Sequence, residues 1–150
     1  MPIINPDPIE IRRIEAAIRR LPTEIGNHAR NFFLAGWQKQ GWQSGTGLIP
    51  WQPRKDTKND RPLLVFTGNL RRSLTKEVNG PYIAVKVTGQ AARYADAQNF
   101  GFKGPVTVQG KNKVFTRMMD IPQRQFIGQT KALDREIQAL VDRRLLDALK

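Results

Sequence analysis

Cysteine is absent from this 150-residue chain, which excludes a disulfide framework, a zinc–thiolate site and a cysteine nucleophile. That composition suits a protein made in a reducing cytosol. Histidine occurs once, as His28. A single imidazole can neither build a multi-histidine zinc site nor form a triad without a nucleophile and an orienting acid. Acidic residues are scarce, 13 against 25 Lys+Arg. Asp56 and Asp60 alternate with Lys55 and Lys58 and lack the dense oxygen-ligand pattern of a calcium loop, so they read as a solvated turn. No stretch approaches the apolar length that spans a bilayer. The N-terminal Met1-Pro2-Ile3-Ile4-Asn5-Pro6-Asp7-Pro8 lacks the basic-then-apolar order of a signal peptide. The expectation is a soluble, unexported protein with no membrane partner. Also missing are a Gly-x-Ser-x-Gly elbow, a Walker-type loop and a Gly-x-Gly-x-x-Gly. Gly45-Thr46-Gly47 alone is too weak to cradle a phosphate. The sequence therefore predicts no catalytic residue, no metal site and no cofactor.

What the chain does have is positive charge, formally +12. By successive fifties the basic and acidic counts are 6 and 4, 9 and 4, then 10 and 5, so the excess lies in the last hundred residues. No basic run exceeds two residues. Charge of this kind speaks of solubility and anionic neighbours, not of fold. It leaves two readings open, contact with nucleic acid or an acidic protein face, or a solvated surface. Trp42, Trp51, Arg54, Lys55 and Lys58 could form a stacking set for single-stranded nucleic acid. The competing and favoured reading is that both indoles clamp their segment onto the body, since such rings bury when they can. The pairs Arg12-Arg13, Arg19-Arg20 and Arg143-Arg144 flank apolar stripes and cover helix edges without needing a ligand.

The length fits one domain over 1–150 that can hold a core without staples. Ile11, Ile14, Ile18 and Leu21 recur at helical spacing, Pro22 interrupts, and Ile25, Ala29, Phe32, Phe33, Gly36 and Trp37 resume it, predicting two helices up to about Gln40. Residues 41–61 carry glycine, proline and charge without periodicity and read as a long irregular loop that wraps the domain or reaches a neighbour. Thr67 is placed to cap a short helix with Leu70 and Leu74 on one face. Residues 77–88 read as a hairpin turning at Gly80-Pro81, with Ile83, Val85 and Val87 inward. Gly89 to Gly101 reads as a turn or two of helix. A second hairpin is expected over Val106–Met119 about Gly110-Lys111-Asn112-Lys113, ending at Ile121-Pro122. The last helix, capped by Thr130, aligns Leu133, Ile137, Leu140, Val141, Leu145 and Leu149 as a buried stripe. Fold class is thus α+β, with N-terminal helices, antiparallel β-hairpins forming a small sheet, and a long C-terminal helix.

Four blocks in order carry a resemblance. They are Phe32-Phe33 with Trp37, Trp42 and Trp51 downstream; Leu63-Leu64-Val65-Phe66-Thr67-Gly68-Asn69-Leu70-Arg71-Arg72-Ser73-Leu74; Tyr94-Ala95-Asp96-Ala97-Gln98-Asn99-Phe100-Gly101; and Ile121-Pro122-Gln123-Arg124-Gln125-Phe126-Ile127-Gly128. Their order and spacing resemble the phage virion-morphogenesis family, the tail-completion proteins of Mu-like contractile-tailed phages. Gln98 stands where a histidine is expected in many relatives. The resemblance implies a structural protein of the bacteriophage virion, made in the host cytoplasm. It would complete or terminate the tail or join it to the head, and bind its own copies in a ring together with tail tube or neck proteins. The alternative from another class is a basic nucleic-acid-binding module; on the leading reading DNA contact is weak and non-specific. Arg54, Lys55, Lys58, Lys103, Lys111 and Lys113, mostly in expected loops, are the candidate assembly surface. Physically, Thr67-Gly68 gives a capped turn, Phe100-Gly101 anchors a ring before a sharp turn, and Arg124 is placed to fix carbonyls at the entrance to the last helix.

Overall fold

A computed structural model describes residues 7–65 and 67–150; Phe66 lies outside the described residues. Helix α1 spans Pro8–Lys39. Its start is fixed chemically: the Asp7 carboxylate accepts from the Ile9 amide at 3.0 Å while Glu10 accepts from the Asp7 amide at 3.2 Å, a capping box with proline at the first helical position. Two helices are expected here and one is found, because Pro22 lies inside α1. A mid-helix proline forfeits one hydrogen bond and costs ~3 kcal/mol. Both halves hold the same line because both lean on the last helix, α4 (Lys131–Ala148). His28 Nε2 meets Glu136 Oε2 at 2.7 Å, and Arg144 Nε donates to Glu24 Oε2 at 2.6 Å. Nearer the end of α4, Asp147 and Ala148 share a groove with Arg13 and Ala16. The order of these contacts makes the two helices antiparallel.

The second half of α1 buries Ala29, Phe32, Phe33, Gly36 and Trp37. Gln40 ends it in the left-handed region (φ 52°). Its side chain secures that backbone, donating to Trp37 O at 2.6 Å and accepting from Leu63 N at 2.6 Å. Residues 41–61 are not wholly irregular. Strands β1 (Gly41–Ser44) and β2 (Gly47–Pro50) pair in register Gly41↔Pro50 through Ser44↔Gly47. Glycines and a proline hide these short strands from any alternation pattern. The non-repetitive path begins only at Trp51. Both tryptophans are in the core, as the clamp reading expects: Trp42 stacks on Phe33 with centroids 6.2 Å apart, and Trp51 meets Trp37 edge-on at 5.8 Å.

Helix α2 is a single turn, Asn69–Arg72. Its N-cap is Gly68, φ 73°, not Thr67; the Thr67 hydroxyl instead accepts from Asn69 N at 3.4 Å. Leu74 is fully buried, but as the first residue of β3 (Leu74–Asn79) and not as a helical residue. β3 pairs with β4 (Tyr82–Val87) about Gly80-Pro81 as expected. This hairpin lies on α1: a Cβ built on Gly26 would sit 3.3 Å from the Lys76 and Val78 side chains, and Arg30 Nε donates to Leu74 O at 2.8 Å. After a 3-10 turn (Gly89–Ala91), α3 runs Ala92–Phe100, longer than the expected turn or two. Strands β5 (Phe102–Gln109) and β6 (Val114–Ile121) form the last hairpin, and Pro122 follows it.

The class is α+β, with the hairpins kept as three separate two-stranded sheets. One cluster runs from Ala29 to Leu133 and centres on Trp37, Trp51, Leu74 and Phe126. The α4 stripe is less buried than its spacing suggests. Leu133 alone is buried, Ile137, Leu140, Val141 and Leu145 are half-covered, and Leu149 is exposed. The reason is its partner: α4 lies against one narrow helix and not under a sheet.

Candidate functional site

Two regions gather the residues that sequence reasoning singles out. The first is the β5–β6 hairpin. Alternation puts Phe102, Val106, Val108, Phe115, Met119 and Ile121 on one face, since these belong to the directly paired positions Phe102↔Ile121, Gly104↔Met119, Val106↔Arg117 and Val108↔Phe115. Little covers them. Phe115 is 48% exposed and, on the other face, Met118 is 71% exposed. Strands β5 and β6 contact each other extensively and no other element more than marginally. The hairpin is therefore an arm. Eight residues per strand give it a reach of roughly 25 Å.

Lys103, Lys111 and Lys113 all belong to this arm and are exposed, the last two in its tip. With Arg117 they set four cations against one acid, Asp120. That carboxylate pairs with Lys55, Nζ to Oδ2 3.0 Å. The hydrogen bond and charge of Lys55, then the charge of Lys103, outweigh desolvation and hold the Asp120 carboxyl below its ordinary range. Lys55 thereby meets the arm at its base. Lys58 is exposed, its amide donating to Asp56 in a local turn at 3.0 Å. Arg54 is different. It turns inward and donates to Asn59 Oδ1, Arg61 O and Pro62 O at 3.3, 2.6 and 3.0 Å. The six candidates thus divide between the arm, the exposed loop surface and, for half-buried Arg54, the inner side of the loop.

Arg54 leads to the second region, a cleft of about 410 Å³. Its walls include Asn69 and Leu70 from the second sequence block, Tyr94 and Gln98 from the third, and Arg124 from the fourth. Arg124 does fix carbonyls, but those of the segment after β2: Nε reaches Gln52 O at 2.9 Å and Nη2 reaches Pro53 O at 3.4 Å. Its own amide donates to Gln98 O at 2.8 Å. Burial first, and then the charge of Arg54, depress the Arg124 pKa. Neither guanidinium faces a carboxylate among the described residues. Gln98 Oε1 is buried with no hydrogen-bond partner there.

Beside the cleft, Asn99 is buried and joins the third and fourth blocks. Its Oδ1 accepts from Phe126 N at 2.9 Å and Ile127 N at 3.2 Å. Phe126 in turn lies 5.2 Å from Trp37. Phe100 does not anchor: its ring is 67% exposed. Gly101 is the residue that matters there, at φ 78°, where a Cβ would sit 3.1 Å from Gln123 N. Sequence reasoning missed Asn99 and the Gln98–Arg124 contact, because nothing local marks a side chain whose partners lie more than twenty residues away.

His28 serves the α1–α4 contact. Among the described residues, no three His, Asp or Glu side chains gather as a metal site, and no helix is long and apolar enough to cross a membrane. No curated protein and no solved structure matches the chain. The family description "phage virion morphogenesis family" matches residues 11–146, a span that takes in all four blocks, both walls of the cleft and the whole arm. A structural part in building the phage particle follows from that span, and the chain belongs to the phage virion morphogenesis family.

Proposed function

We propose that this chain is a non-enzymatic tail-completion or terminator subunit. It binds copies of itself in a ring, and tail tube or neck proteins, at the tail or head–tail junction. The observation that carries the reading is the β5–β6 arm. A lone two-stranded hairpin is marginally stable in water, and among the described residues no other helix or strand covers the apolar face of this one more than marginally. A neighbouring surface would supply that cover. A chain offering an arm to a different patch on its neighbour makes a heterologous contact, the kind that closes into rings. The basic tips would then converge, and a modest charge per subunit becomes a strong local field facing an acidic protein.

The test changes Lys111→Glu and Lys113→Glu together. Both sites are exposed, so the subunit stays folded, with stability altered by less than about 0.5 kcal/mol. Tail completion in a complementation assay is expected to fail, and light scattering should show smaller assemblies. A DNA titration at two salt concentrations runs beside it. The nucleic-acid reading wins if the monomer binds one DNA sequence tightly, steeply with salt, and loses that binding in the variant while tails still assemble.

A further inference from the structure

The cleft between Arg54 and Arg124 has a chemistry that the arm does not explain. Two guanidiniums, Arg54 and Arg124, line the same cavity of about 410 Å³. Like charges are held together in a partly buried place only at a cost, unless something of opposite sign visits. Each guanidinium has five N–H donors. Arg54 commits three hydrogen bonds to loop oxygens and Arg124 two, so both keep donors in reserve. Those bonds hold the two side chains in place before any ligand arrives.

The opposite need lies beside them. Gln98 Oε1 is a buried acceptor without a donor among the described residues, and an unpaired buried polar atom carries the full loss of its hydration. The rest of the lining sets Leu64, Leu70 and the Tyr94 ring beside Thr67 and Asn69, so an apolar stem has a place to lie. A fitting ligand therefore combines three features: a negative group for the guanidiniums, an N–H for Gln98, and a short apolar stem.

We propose that this cleft is a socket for a carboxylate presented by an acidic protein segment, a glutamate side chain whose own backbone amide reaches Gln98. Planar carboxylate matches the guanidinium fork. No residue of the arm lines the socket, and its existence does not depend on ring formation.

The experiment is a titration of the full ¹⁵N-labelled chain followed by NMR. The probe is a capped pentapeptide, Ala-Ala-Glu-Ala-Ala, acetylated and amidated. Controls are the same peptide with glutamine at its centre, and inorganic phosphate at matched ionic strength. The glutamate peptide is expected to shift the Gln98 and Asn69 side-chain amides and to saturate, with the glutamine peptide and phosphate each binding at least about tenfold more weakly. Gln98→Leu keeps the net charge and should weaken the glutamate peptide by about tenfold. Gln98→Glu places a carboxylate of the chain's own beside the arginines and should abolish binding with the fold intact. Phosphate binding as tightly as the peptide would make this a small-anion site and overturn the proposal. So would saturable peptide binding that ignores both Gln98 variants, or no shift at the cleft.

Discussion

Asn99→Ala isolates the joint between the third and fourth blocks. The amide oxygen it removes accepts from Phe126 N and Ile127 N. Phe126 is 1% exposed, and an orphaned buried donor costs ~1–3 kcal/mol. Ile127 is half-buried and contributes at the lower end of that range. The sum is about 2–4 kcal/mol. With a urea dependence of ~2 kcal/mol per molar for a domain of this size, the unfolding midpoint should fall by about 1–2 M. Asn99→Asp keeps an acceptor at the same place and should be clearly milder at neutral pH. Urea melts followed by tryptophan fluorescence read both variants, because Trp37 lies against Phe126. Two results would refute the reasoning: a cost below about 0.5 kcal/mol for Asn99→Ala, or equal costs for the two substitutions.

Core and stripe should separate on truncation. Phe126→Ala is expected to cost ~3–5 kcal/mol and half-covered Ile137→Ala only ~1–2.5 kcal/mol, by the same urea melts. Asp120 supplies a pH test: its folded carboxyl is depressed by Lys55, so the pair's contribution is present above the unfolded-state pKa and is lost as pH falls through the folded one. Lys55→Ala should raise the Asp120 midpoint in a carboxyl-detected NMR titration, and an unchanged midpoint would remove Lys55 as the cause.

Local chemistry in the sequence was legible wherever an element answers to its own residues. The last helix starts at the Thr130 cap, whose hydroxyl accepts from Ala132 N. The β3–β4 turn falls at Gly80-Pro81, and both indoles bury. Elsewhere tertiary contacts override local signals. Pro22 reads as a helix end, but α4 lies along both sides of it, beside Arg13 and Ala16 before the proline and paired with Glu24 and His28 after it. β1 and β2 carry too much glycine and proline to alternate, and pair because Trp42 and Trp51 must reach the same core. The arm's apolar face shows in its alternation, whereas its lack of cover cannot be read from alternation at all. Of the candidate basic residues, Arg54 reads in the sequence as a companion of the loop lysines. Only the fold separates it, since its companion Arg124 lies seventy residues further on.

The packing of Trp37, Trp51 and Phe126 also sets a schedule for synthesis. The indoles emerge early, but the phenylalanine ring that fills the space between α1 and the loop is encoded roughly ninety residues after Trp37. At a bacterial pace of about 5–20 residues per second, the first helix waits on the order of 4–20 s for its partner. Through that interval the β1–β2 and β3–β4 hairpins can reach α1, but the ring that completes its aromatic cluster is missing. A nascent chain in that condition is a natural client for holding chaperones. A host with slower translation or thinner chaperone supply should lose this subunit to aggregation before any defect shows in the finished fold.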